Sequence, residues 1–102
     1  MGMSPNADDN QKEIKRMPRF DIHVRVMPRP TLLDPQGQAV EHALESLGFK
    51  GLDKVRVGKA LNFYLDRPNK ESAAKDAESM CSKLLANPVT EDFTVTIEEA
   101  AG

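Results

Sequence analysis

Strict alternation opens the patterned part of the chain. In "FDIHVRV", Phe20, Ile22, Val24 and Val26 fall on one side and Asp21, His23 and Arg25 on the other, the period of a half-buried strand. "MPRPT" closes it, because Pro28 and Pro30 have no N–H to give a ladder. The period then lengthens. Within "LLDPQGQAVEHALESLGF", Ala39, Val40, Ala43, Leu44 and Leu47 share one helical face. Asp34 suits the N-cap and Pro35 the first helical position, where a missing N–H costs nothing. Gly48 suits a left-handed residue just past the end, with Phe49 placed to pack back on the last turn. The spacing predicts a helix over 35–47. Gly37 is out of place there: close approach of another backbone, or fraying that softens the glycine cost of ~1 kcal/mol, would each account for it.

Val55, Val57, Leu61, Phe63 and Leu65 are all odd-numbered, so any turn between them must preserve their phase. A loop of Gly58, Lys59 and Ala60 does so, pairing Val57 with Leu61 and Val55 with Phe63. One continuous strand would set Lys59 in the apolar row and run ~36 Å, too long for a small domain unless a second subunit pairs with it. A hairpin is therefore expected. Asn69 then caps a second helix with Ala73, Ala77, Met80, Cys81 and Leu84 inward, and Pro88 ends it by pushing Asn87 out of helical geometry. The last strand, "DFTVTIEE", turns Phe93, Val95 and Ile97 inward.

The resulting order, β-α-β-β-α-β, predicts an α+β two-layer sandwich of ferredoxin-like topology, with both helices on one face of a four-stranded antiparallel sheet. The other face carries Asp21, His23, Arg25, Arg56, Asn62, Tyr64, Thr94 and Thr96, a wettable surface suited to an interface.

Composition narrows the classes. The chain has 102 residues, the size of one small domain. Residues 1–18 are polar and of mixed charge, and are expected to form a flexible tail ahead of a single domain at 19–99. The ~84 remaining residues bury a modest share of their surface, so oligomerisation is expected on size alone. Lysine and arginine number 14 against 16 acidic residues, which points away from a general nucleic-acid or membrane-surface grip. No apolar run reaches the ~18 residues of a membrane span. One cysteine and the lack of a signal-like segment fit a reducing cytoplasm.

Reactive residues are sparse. His23 belongs to the outward set of the first strand, His42 lies opposite the helical apolar stripe, and Cys81 falls on the buried stripe of the second helix. No Cys/His spacing matches a zinc site. Glu41 and Glu45 form a solvated pair, Glu98 and Glu99 lie near the chain end, and no phosphate-binding loop of the nucleotide-binding kinds is present. "VRVGK" sets a glycine between cations, which serves either as an anion-holding loop or as a plain turn. Tyr64 is the only outward aromatic, so the stacking pattern of RNA-binding sheets is missing.

Taken together and in register, "LLDPQGQAVEHALESLGF", "VRVGK" and "MCSKLLANPVTEDF" resemble the PurS family, the small subunit of phosphoribosylformylglycinamidine (FGAM) synthase, over about residues 20–98. Residues 1–16 depart from it, since its members usually begin near the first strand. The resemblance implies a non-catalytic subunit without a cofactor of its own, a homodimer or homotetramer. It would bridge a PurQ-type glutaminase, which frees ammonia, and a PurL-type ligase, which uses ATP and magnesium to make the amidine of purine biosynthesis. Carried onto matching positions, it assigns partner contacts to Arg56, Gly58 and Lys59 of "VRVGK" and to Asn87 and Pro88 of "ANPV". Asp34, Pro35 and Gly37 either join that surface or serve only as helix-start chemistry. The alternative is a regulatory module of the same topology holding a small anion near Gly58 and Lys59.

Overall fold

A computed structural model describes residues 17–100; all of the expected tail but Met17 and Pro18 lies outside the described residues. Pro18 is tied to the domain, its carbonyl accepting the Arg67 N–H at 3.2 Å. The elements run β1 (Arg19–Pro28), α1 (Pro35–Ser46), β2 (Lys59–Asp66), α2 (Lys70–Met80) with a π turn over Cys81–Leu85, and β3 (Glu91–Glu99). The strands form one antiparallel sheet ordered β2-β1-β3.

Register follows the alternation. Ile22 pairs with Phe63 on one side and Ile97 on the other, and Val24 with Leu61 and Val95, so apolar rows cross all three strands on one face. The core sits under that face: Phe20, Ile22, Val24 and Val26 are buried against Ala73, Ala77, Cys81 and Ala86. Residues 73, 77 and 81 are one helical turn apart and small, so α2 lies close on the central strand. Filling that strip stabilises the chain by roughly 1.5–3 kcal/mol for each large side chain buried.

The first correction concerns the sheet and its connection. The sheet has three strands, not four. There is no hairpin at 58–60: residues 52–58 form no strand, and the Val57 N–H goes to the Asp34 carboxylate at 3.0 Å instead of to a ladder. Gly58 is no positive-φ turn residue either, since that conformation belongs to Gly48, Gly51 and Lys54 among the described residues. A glycine stands at 58 because the chain presses on β1 there: a Cβ would strike the Val26 carbonyl and the Met27 sulfur.

The second correction concerns α1. Its termini form as expected: Asp34 caps it with Pro35 next, and at its end the Gly48 N–H reaches the Glu45 carbonyl (3.0 Å) and the Phe49 N–H the Leu44 carbonyl (3.1 Å). Yet α1 does not cover the sheet. Ala39, Val40, Ala43, Leu47 and Phe49 are exposed, and its only buried residue is Gly37. Gly37 is explained by close approach, for a Cβ there would collide with the Val55 carbonyl and the Asp34 carboxylate.

Candidate partner-binding surface

The first site cluster is held by carboxylates. Asp34 Oδ1 accepts the Gly37 N–H and Oδ2 the Val57 N–H, both at 3.0 Å, while Glu41 Oε1 accepts the Val55 N–H at 3.1 Å. One helix thus straps the extended 55–57 segment to itself through two acidic side chains. The N–H groups of Gly37 and then Val57 hold the Asp34 carboxyl below the usual carboxylate range. This fixes where Arg56 leaves the backbone. One terminal nitrogen of its guanidinium, Nη2, is enclosed without an acceptor, an arrangement that costs free energy until an acceptor arrives. Lys59, the first residue of β2, is exposed and has no ion-pair partner among the described residues.

The second cluster is turn chemistry. Asn87 Oδ1 accepts the Val89 N–H at 2.9 Å, and the Asn87 N–H donates to Glu91 Oε1 at 2.7 Å. Arg29 donates to the Pro88 carbonyl at 2.6 Å and lies 3.4 Å from Asp92. The side chain of Asn87 is therefore committed to shaping the loop, and the outermost groups offered there are Pro88 and Val89, the latter 73% exposed. Sequence reasoning passed over Arg29 and the bridging part of Asp34. The arginine between two prolines in "MPRPT" was the available signal for the first. The second, a bond across 23 residues, leaves none.

Both clusters come to the same end of the sheet. Val26 pairs with Lys59 on β2 and with Phe93 on β3, which sets the two flanking strands about 10 Å apart across β1. Arg56, Gly58 and Lys59 lie on the β2 side of that end, and Asn87 and Pro88 lead into it on the β3 side.

Among the described residues, neither a metal-binding group nor a reactive thiolate is assembled. No group of three or more His, Cys, Asp or Glu residues among those described can hold a metal ion. Burial pushes the Cys81 thiol up, away from the reactive thiolate. His23 shares the Asn62 amide with Asp21, at 2.8 Å to each, on the open face of the sheet. No helix among the described residues is long and apolar enough to cross a membrane.

The sequence profile of the PurS family, described as phosphoribosylformylglycinamidine (FGAM) synthase, matches residues 21–99. A phosphoribosylformylglycinamidine synthase subunit PurS from Synechocystis is 36% identical over 83 residues, 81% of this chain and 83% of that one. The crystal structure of the purS subunit from Thermotoga maritima superposes with a TM-score of 0.75 at 32% identity, covering 81% of this chain and 95% of that one. A chain in the structure of PurLQS from the same organism gives 0.74 at 34% identity, covering 80% of this chain and all (100%) of that one. With a family match spanning the whole β1-to-β3 unit and relatives of this closeness, the chain belongs to the PurS family of FGAM synthase subunits.

Proposed function

We propose that the chain is the non-catalytic brace of an FGAM synthase assembly in purine biosynthesis, docking a PurQ-type glutaminase to a PurL-type ligase so that ammonia passes between them. The observation that carries this reading is an unfinished surface on a chain of the PurS family. Leu33 (72%), Leu47 (73%) and Leu84 (82%) stand exposed, large apolar side chains that a partner can cover. The structure of PurLQS from Thermotoga maritima supports the choice of partners, since its name joins three such subunits. The physical need is plain: ammonia released into water is protonated and no longer nucleophilic, so the producing and consuming sites must be held together. ATP and magnesium belong to the ligase in this scheme. The buried thiol of Cys81 suits a reducing cytoplasm. The working unit is 19–99, with 1–18 as an appended tail.

The first partner in this reading is a second copy. The trough between β2 and α2, about 560 Å³ and walled by Leu61, Phe63, Met80, Leu84 and Leu85, is where a second covering helix of a ferredoxin-like sandwich would lie. The chain's own α1 is elsewhere with its apolar stripe exposed, and the 53–57 segment has no strand beside it. Two copies exchanging these parts would complete the four-stranded order.

Partner contact is assigned to Arg56, Lys59, Pro88 and the backbone at Gly58, with Asn87 shaping the loop. Lys59→Glu should weaken binding to the ligase and glutaminase by about tenfold or more, since opposite charge becomes like charge at the contact, with an unaltered melting temperature for the isolated chain. Unchanged glutamine-dependent activity in the reconstituted complex would refute the assignment.

A further inference from the structure

Five arginines fall among the described residues, and they divide cleanly. Arg19, Arg29 and Arg67 each have a carboxylate close by, on Asp66, Asp92 and Asp76. Arg25 and Arg56 have no such ion pair among the described residues, and both line one groove on the open face of the sheet. Asp34 is near enough to Arg56 to feel its charge, but two backbone N–H groups already occupy its oxygens.

The groove has a volume of about 690 Å³, and no aspartate or glutamate among the described residues lines it. Register explains its shape. Arg25 stands between Ala60 and Thr94, two short neighbours, so its guanidinium rises above a low floor. The next outward row is Asn62, His23 and Thr96. Lys59 stands at the β2 end but pairs with the inward Val26, so its side chain belongs to the opposite face, and Arg56 borders the groove from the strapped 55–57 segment. The groove thus combines two arginines with threonine hydroxyls. Planar guanidinium forks beside hydroxyl donors match the tetrahedral, multiply charged phosphoryl group better than a lone carboxylate. The size suits a small metabolite.

We infer that this groove binds the phosphoryl end of a small phosphorylated molecule, held between Arg25 and Arg56 with Thr94 and Thr96 at its sides. An oxyanion seated there gives Arg56 the acceptor it lacks once the guanidinium turns toward the groove. The groove shares Arg56 and Gly58 with the proposed partner surface, but its test uses this chain alone, so its failure would leave the bridging role standing.

The test is an amide-resolved NMR titration of the full chain with pyrophosphate and with ribose 5-phosphate, at ionic strength held constant with sodium chloride. Saturable shifts should centre on Arg25, Gly58, Asn62, Thr94 and Thr96. Arg25→Gln should lower the affinity at least about tenfold, as expected for loss of one charge-assisted contact. Thr94→Val should lower it less, and both variants should keep the melting temperature. Non-saturable shifts scattered over surface lysines, or full affinity in Arg25→Gln, would overturn the inference. Acetate binding as well as phosphate would overturn it too, making the groove a seat for a partner's carboxylates.

Discussion

The two helices of this chain carry the same kind of signal and meet different fates. α2 lays Ala73, Ala77 and Cys81 on β1 and completes a core in which Ile22 and Val26 are fully enclosed. α1 has an equally regular stripe in Ala39, Val40, Ala43, Leu44 and Leu47, yet among the described residues that stripe has little to cover and all of it but Leu44 is exposed. What holds α1 in place is polar: Asp34 and Glu41 accepting backbone N–H groups of Val57 and Val55. One half of the molecule is held by packing and the other by carboxylates. The comparison teaches that an amphipathic period states that a face will be buried, without stating in which chain.

Substitutions should separate the halves. The largest effect belongs to the core: Ile22→Ala removes a fully buried side chain and should cost about 2–5 kcal/mol, enough to unfold much of a small domain in a denaturant melt. The matching change on the other half, Leu47→Ser, should move the stability of the dilute isolated chain by less than about 0.5 kcal/mol. It should nevertheless disperse self-association in sedimentation. A Leu47→Ser chain that melts as early as Ile22→Ala would abolish the distinction.

Gly37→Ala comes next. Its Cβ would meet the Val55 carbonyl and Asp34 Oδ2, so the helix must back away from the 55–57 segment at a cost of about 1–3 kcal/mol. Faster amide exchange at Val55 and Val57, with β1 and β3 unchanged, is the expected result. Uniform acceleration across the sheet would show that the two halves are one cooperative unit.

Acid should loosen the same strap more gently. The Asp34 carboxyl sits below its ordinary value because Gly37 and Val57 donate to it. Its contribution is therefore complete above the unfolded value of about 3.9 and is lost as pH falls through the lower folded value. As pH falls below about 4 the Gly37 and Val57 amides should lose protection earlier than those of β1. Asp34→Asn, which keeps one acceptor oxygen, should flatten that dependence.

Much of this was legible in the sequence, for reasons that can be located. β1, α2 and β3 follow period and capping signals, and Asp34, Pro35 and Gly48 act as their types suggest, whereas Leu84, expected inward, is exposed in the π turn that follows α2. The hairpin expectation failed because the odd-numbered apolar phase of residues 55–65 is equally consistent with a chain that runs straight on from 57 into β2. The glycine at 58 read as a turn because close approach to Val26 and a turn both call for a missing side chain. At the candidate surface, "VRVGK" and "ANPV" were visible as stretches. Their convergence at one end of the sheet depends on β1 being central, which strand order decides and no local pattern reports.

The account's central claim is that this chain joins two catalysts and is not one itself. The most direct measurement is glutamine-dependent amidation by the PurL-type and PurQ-type subunits, reconstituted with and without it. Amidation should collapse when the chain is omitted and return on its addition, while the ligase fed with ammonia directly should continue. Undiminished glutamine-dependent turnover in its absence would contradict the claim.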